Sequence, residues 1–314
     1  MKQALFIAGP TASGKSALSL RLAKDLDGVI INADSMQVYK GLRIVTACPS
    51  EADEQTAPHR LYRFLDPATP CSAVFWAEQA MAHIKAAWAD ERTPIVIGGT
   101  GMYFKVLLEG IAEIPEIDAG IRSQVRAECE EFGSAVLHEG LLRGDPVTAA
   151  RLAPGDSQRI SRAIEVLRST GKPLSAWHKE NAPGLMQAAD EAGLIGKYVI
   201  NPERDQLYDR CNMRFDMMLE AGAEDEVRAL MALGLDASLP VMRALGVPSL
   251  ISMIKGETSA EVAIEDAKTQ TRRFAKRQLT WFRNQFSDWE RLPAQLSESQ
   301  YRKLFAKNTQ KSVD

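Results

Sequence analysis

The chain lacks the features that mark several large protein classes. Its four cysteines, Cys48, Cys71, Cys129 and Cys211, are scattered and no two stand in C-x-x-C spacing. Neither a zinc site nor a redox pair is therefore indicated, and they read as free thiols of a reducing compartment. No apolar run approaches the roughly 20 residues that cross a bilayer. The apolar stretch at residues 4–8 is too short for the core of a signal peptide and is broken at once by Gly9 and Pro10. A basic excess is also missing: 38 Lys and Arg stand against 41 Asp and Glu, a formal net charge of -3. Bulk charge thus points to no nucleic acid, and any such partner has to meet a local basic patch. These absences predict a cytoplasmic protein outside the membrane; a monomer is expected, although no feature of the sequence specifies the oligomeric state. A hydrophobic share of 45% is that of an ordinary globular chain, and 314 residues make one large domain or two modest ones.

What is present is a βαβ alternation over the first hundred residues. "ALFIA" and "GVIINAD" read as short strands, "TPIVIGG" as a fully apolar one, and residues 15–26 as a helix with Leu18, Leu22 and Leu26 on one face. Residues 72–90 read as a second helix. Strands alternating with helices predict a parallel sheet covered on both faces. From about residue 115 to 189 the periodicity is helical, punctuated by glycine and proline, with no convincing strand. "GKYVIN" at 196–201 then reads as a strand returning to the sheet, followed by helices over 204–220, 223–233 and 259–286. The expected organisation is a core of residues 1–114 and 190–314 around a helical insertion of 115–189. The last dozen residues are polar and are expected to fray.

Gly9-Pro10-Thr11-Ala12-Ser13-Gly14-Lys15-Ser16 matches G-x-x-x-x-G-K-[ST] between a strand and a helix. The glycines let the backbone wrap an anion, and successive N–H groups and the helix N-terminus point at it. Lys15 adds a positive charge, and the Ser16 hydroxyl is a candidate Mg²⁺ ligand. The motif specifies a phosphate chain rather than a base. Asp34 closes the one strand that ends in an acid, and has two readings. It holds Mg²⁺ for a small-molecule kinase with ATP in the loop, or it is a general base facing a nucleophile beside the phosphate site.

Ser35 follows Asp34 at a strand end, where open α/β sheets bind ligands, although both residue types are also common helix caps. Gln37 can donate and accept hydrogen bonds in the manner of a base edge. "GGTGMY" makes a glycine-rich turn carrying the Thr100 hydroxyl. Arg210 and Arg214, four apart, share a helix face and either reach an anionic ligand or pair with Asp209 and Glu220. Residues 268–286 hold several Lys and Arg and no acid, interleaved with Phe274, Trp281 and Phe282. That composition suits an RNA backbone, or equally an amphipathic helix with a solvated face.

Together "GPTASGKS", "DSMQVYKGL", "GGTGMY", "PEIDAGIR", "DPVTAARLAPGDSQRISRAIEVLRSTGKPLS", "RALGV" and "AKRQLTWFR" resemble one family in this order: the tRNA dimethylallyltransferases, or isopentenyl-tRNA transferases. The resemblance spans nearly the whole chain. It implies an α/β fold, a P-loop NTPase-like parallel-sheet core with helices on both faces and a helical insertion domain that contacts tRNA. It implies transfer of a dimethylallyl group from dimethylallyl diphosphate to the exocyclic amine of the adenosine 3′ of the tRNA anticodon, with Mg²⁺. By the same resemblance Asp34 and Lys15 are catalytic, and Gly9 through Ser16 hold the diphosphate with Arg210 or Arg214. Asp34, Ser35, Met36, Gln37, Thr100, Arg122, Gln158, Arg159, Ile160, Ser161 and Arg162 contact tRNA. Cys48 stands where the family often has Lys, and Val247 where many members have Tyr.

Overall fold

A computed structural model of the chain describes residues 3–309. It comprises two compact units, one made from the chain up to Leu108 and from Leu185 onward, the other from Glu109–Gly184.

In the first unit β1 (Ala4–Ala8), α1 (Lys15–Asp25), β2 (Gly28–Asn32), α2 (Glu51–Thr56), β3 (His59–Arg60), α3 (Ala73–Ala89), β4 (Thr93–Gly98) and α4 (Gly101–Glu109) lead up to the break. The second unit carries α5 (Ala119–Phe132), α6 (Ser134–Gly144), α7 (Pro146–Ala149), α8 (Ser157–Thr170) and α9 (Leu174–Trp177). The first unit resumes with α10 (Gln187–Glu191), β5 (Ile195–Ile200), α11 (Arg204–Glu220), α12 (Ala223–Ala232), α13 (Val247–Ile254), α14 (Ala260–Gln285), β6 (Glu290–Leu292) and α15 (Glu298–Thr309).

The six strands form one parallel sheet in the order β3-β2-β4-β1-β5-β6. β4 lies between β1 and β2, so the carboxyl ends of all three open side by side where the connection reverses direction. Both faces are covered, which is why β1, β2 and β4 are apolar without alternation. On one face Leu22 of α1 packs with Leu5, Ile7, Ile30 and Ile95, joined by Tyr301 and Phe305 of α15. On the other, Phe6 meets Phe104 at 5.9 Å between ring centroids, and Phe286 stacks on Trp289 at 4.1 Å. α15 takes up the start of the stretch expected to fray, and residues 310–314 lie outside the described residues.

β2 stops at Asn32, two residues short of the strand read from "GVIINAD". The Asn32 side chain accepts the Asp34 N–H at 2.8 Å and turns the chain out of the ladder. The edge strands β3 and β6, of two and three residues, carry no periodic pattern and are visible only as sheet partners.

The helical unit begins and ends several residues earlier than the 115 and 189 suggested by periodicity. Ala112 bridges Asn181 in antiparallel fashion, so the two connecting segments pair with each other and belong to this unit. Asp118 caps α5 by accepting the Ile121 N–H, Asp156 caps α8 by accepting the Arg159 N–H, and Gly171, with φ +68°, ends α8. Its core is Val125, Leu137, Leu141, Ile160 and Ile164.

Gly101 opens α4 directly against the Trp281 ring, and a Cβ there would overlap the indole. Gly101→Ala is therefore expected to lower stability by about 1–3 kcal/mol, read from the urea midpoint. Pairing it with Trp281→Leu is expected to recover part of the loss, since contacting sites couple; strictly additive losses would show that the ring is not what the methyl group meets.

Candidate active site

The loop between β1 and α1 folds as its motif requires. Gly14 has φ +93°, a conformation that favours glycine, and α1 starts at Lys15 with no side-chain cap. The first N–H groups of the helix are thus left for a ligand. Lys15 Nζ donates to Gly9 O at 2.9 Å and Pro10 O at 2.6 Å. Burial pushes Lys15 down to about 8, with the Asp34 carboxylate opposing and Arg214 adding to the shift. Arg214 donates to the Thr11 hydroxyl and is likewise pushed below its ordinary range by burial.

The loop is fastened from far along the chain. Gln278 of α14, 6% exposed, accepts the Thr11 N–H at 2.8 Å on Oε1 and donates from Nε2 to Gly99 O at 2.9 Å. The phosphate loop and the "GGTG" turn are therefore held by one amide. Thr100, in that turn, accepts the Ser35 N–H at 2.9 Å and donates to Ser35 Oγ at 3.2 Å. Asp34 sits beside this pair, its Oδ1 accepting the Met36 N–H at 3.0 Å. Among the described residues Asp34 forms no ion pair.

Two cavities open on this junction. The first, about 410 Å³, is lined by the loop from Thr11 to Ser16 together with Asp34, Gln37, Tyr62, Arg210, Met213 and Arg214. The second, about 270 Å³, is lined by Ser35, Met36, Phe215, Met218, Leu245 and Phe274 with Arg243 and Arg277. Thr11, Asp34, Thr46 and Arg214 belong to both. Arg210 and Arg214 both face the first cavity, and among the described residues neither pairs with Asp209 or Glu220. Gly9 and Pro10 are not in the lining of either cavity, and their carbonyls hold Lys15. The Gln37 amide nitrogen donates to Thr46 O and Ala47 O, each at 2.9 Å, so its donors are spent on its own loop and only the carbonyl oxygen is left for a ligand.

The basic stretch at 268–286 separates into distinct roles. Lys268 pairs with Asp216 at 2.6 Å and Arg272 with Glu265 at 2.8 Å. Phe282 is buried, its ring 5.5 Å from that of Trp281, which is half-buried against Gly101. Thr271, Phe274 and Arg277 of this stretch line the second cavity. Arg122, Gln158, Arg159, Ile160, Ser161 and Arg162 are carried by the helical unit, on α5 and α8. There Ile160 is buried in the unit's core, while Arg159 pairs with Asp156 at 3.1 Å and stays largely exposed. Reading by motif singled out Phe274 but missed Gln278, Tyr62, Thr46 and Phe215. Only the "KRQLTWFR" match marked the neighbourhood of one of them.

Known proteins resemble the chain over most of its length. The family model described as IPP transferase matches residues 37–285. A tRNA dimethylallyltransferase of Methylobacterium nodulans is 50% identical over 289 residues, covering 91% of this chain and 94% of its own. Among solved structures, the full-length tRNA isopentenylpyrophosphate transferase of Bacillus halodurans superposes with a TM-score of 0.67 at 30% identity, covering 99% of this chain and 96% of that one. A eukaryotic dimethylallyltransferase captured acting on tRNA gives 0.77 at 26% identity, over 98% of this chain and 77% of that one.

A lysine lowered to about 8 loses its charge within the accessible range. The ratio of wild-type to Lys15→Met affinity for inorganic pyrophosphate, measured by calorimetry, is expected to fall as pH rises through 8, approaching tenfold per unit. A ratio constant from neutral to about pH 9.5 would show that Lys15 keeps its proton.

Proposed function

The chain belongs to the IPP transferase family, and on that premise we propose that its first cavity holds dimethylallyl diphosphate by its diphosphate while the second admits an adenine base of tRNA. The enzyme is a tRNA dimethylallyltransferase. It moves the dimethylallyl group onto the N6 amine of the adenosine 3′-adjacent to the anticodon and releases diphosphate. The observation that carries this reading is the meeting of two cavities at Asp34, Thr11, Thr46 and Arg214, one walled by a phosphate loop and the other by apolar and cationic side chains.

The phosphate loop holds the group that leaves. As the allylic C–O bond loosens, negative charge grows on the diphosphate oxygens. Loop amides, Lys15, Arg210 and Arg214 are already oriented around that space, so little reorganisation is needed to stabilise it. The adenine amine is a weak nucleophile because its lone pair is delocalised into the ring. Asp34, at the junction and outside any ion pair among the described residues, accepts the N6 proton as the C–N bond forms. The base has to leave the anticodon stack to enter the second cavity, where Phe215, Met218 and Phe274 offer apolar walls.

Mg²⁺ fits the donor set. Ser16 is exposed at the first cavity and Asp34 lines the same space, while the described residues contain no cluster of three or more acids, His or Cys that would make a protein-only cage. Such a sparse protein set suits an ion that takes its remaining ligands from phosphate and water. When bound there by Ser16, the ion supplies further neutralisation of the diphosphate. No helix among the described residues is long and apolar enough to cross a membrane. We take the enzyme to work as a cytoplasmic monomer.

Mass spectrometry of nucleosides from tRNA incubated with the protein and dimethylallyl diphosphate tests the reading directly. N6-dimethylallyladenosine is expected, and phosphoryl transfer from ATP without it would overturn the proposal. Asp34→Asn is expected to keep tRNA binding and lose about 10²–10⁴-fold in kcat, the range of a lost general base; full turnover would remove Asp34 from that role. Chelation of divalent metal is expected to lower turnover, and Ser16→Ala to raise the Mg²⁺ concentration needed for half-maximal rate.

A further inference from the structure

Tyr62 stands in the wall of the first cavity on an unusual piece of backbone. Its neighbours on both sides, Leu61 with φ +62° and Arg63 with φ +48°, adopt the left-handed conformation although neither is glycine. Each costs on the order of 1 kcal/mol, and such conformations persist only where the surroundings over-determine them. Here they do. Asn32 Nδ2 donates to Leu61 O at 3.0 Å, the Arg63 N–H donates to Gln37 O at 2.9 Å, and the Arg63 guanidinium pairs with Glu54. The three anchors come from the end of β2, from the Gln37 loop and from α2. What they jointly determine is the placement of the one side chain between the two strained residues.

That side chain is held by its ring. Tyr62 packs partly against the cluster under the sheet and meets the His59 ring edge-on at 5.5 Å. Its hydroxyl forms no hydrogen bond among the described residues, yet the residue lines the same space as Lys15 and Asp34. Burial pushes its ionisation upward, so the phenol keeps its proton through the working pH range. A neutral O–H on a residue that lines a phosphate-loop cavity lacks only an acceptor. Packing alone would be served as well by phenylalanine or leucine, and would not require two left-handed residues to bring this side chain to that wall.

We propose that Tyr62 is a further substrate-binding residue of this site, its hydroxyl donating a hydrogen bond to an oxygen of the diphosphate held by the phosphate loop. The proposal rests on reading that cavity as the diphosphate site. No proton changes hands in it. The O–H complements the charged donors Lys15, Arg210 and Arg214 with an uncharged one, and strengthens as charge builds on the departing oxygens.

The test is Tyr62→Phe in the full chain, which removes the oxygen and leaves the ring. Inorganic pyrophosphate, titrated calorimetrically, is expected to bind at least about tenfold more weakly than to wild type, as suits a lost hydrogen bond to a charged group. The kcat/KM for dimethylallyl diphosphate is expected to fall by at least the same factor, with KM for tRNA and the melting temperature unchanged. Tyr62→Leu serves as the packing control and is expected to add a loss of melting temperature to the same loss of affinity. Wild-type pyrophosphate affinity and wild-type kcat/KM in Tyr62→Phe would overturn the proposal and reduce Tyr62 to packing, leaving the cavity's assignment intact. Failure of the wild-type protein itself to bind pyrophosphate would overturn the assignment of the cavity, and this inference with it.

Discussion

The amide of Gln278 is the interaction on which the site depends. A phosphate loop has to leave its N–H groups free for an anion, and so cannot tie itself down with them. One such group, that of Thr11, is instead claimed by Gln278 Oε1, while Gln278 Nε2 claims Gly99 O. The bond is buried, so losing either half strands a polar group at a cost of about 1–3 kcal/mol. Gly99 has no room for a Cβ because that amide occupies the space. Through Gly99 the constraint passes to Thr100, and through its hydroxyl to Ser35 beside Asp34. Loop, turn and carboxylate thus take their relative positions from one side chain on a long, well-packed helix.

Asn32 performs the corresponding service on the other side. It is fully buried at the end of β2. Its Oδ1 accepts the Asp34 N–H, and its Nδ2 donates to Asp34 O and Leu61 O, each at 3.0 Å. Its own carbonyl accepts the Trp76 indole N–H at 2.8 Å. Both polar atoms of its side chain and its carbonyl are engaged, as burial demands. A single residue therefore ends the strand, sets the turn that carries Asp34 and anchors the turn that carries Tyr62. Glu226 acts in the same way one layer out, its carboxylate accepting the N–H groups of Arg43, Ile44 and Val45 and so holding the loop that brings Thr46 to both cavities.

What could be read from the sequence was what is local. "GPTASGKS" declares itself because loop, lysine, hydroxyl and flanking elements are contiguous, and the βαβ alternation because periodicity needs only neighbours. Arg210 and Arg214 could be placed on one helix face, but which way that face turns depends on the packing of α11 on α14. Gln278 falls inside the "AKRQLTWFR" match, but nothing local declares its role: its partner Thr11 lies 267 residues away in the chain. Trp281 and Phe282, interleaved with cations, have the composition of an RNA-stacking surface, yet Phe282 is buried and the Trp281 ring is taken up by Gly101 and Phe286. Gln37 looked free to read a base edge, and its donors turn out to be consumed by two carbonyls of a loop whose shape no motif specifies. Tyr62 was hidden by the same rule, since its significance comes from the backbone on either side of it.

The charge balance of the first cavity shows why such anchoring is needed. Lys15, Arg210 and Arg214 face it, and Asp34 is the one carboxylate in its lining. Lys15 is satisfied by carbonyls rather than by an acid, and burial disfavours the charged forms of both Lys15 and Arg214. Cations held together with so little compensation repel, and a pliable loop would move apart to relieve them. Gln278 and Asn32 prevent that relaxation, so the relief has to come from an anion. Asp34 supplies only part of it: its charge opposes the downward shifts of Lys15 and Arg214, but neither arginine of this cavity pairs with it among the described residues, and one of its oxygens is taken by the Met36 N–H. The carboxylate therefore stays an available acceptor on the side where the two cavities meet. One rigid frame thus keeps the cations available to a leaving group and the carboxylate available to a proton, and neither function is quenched by the other.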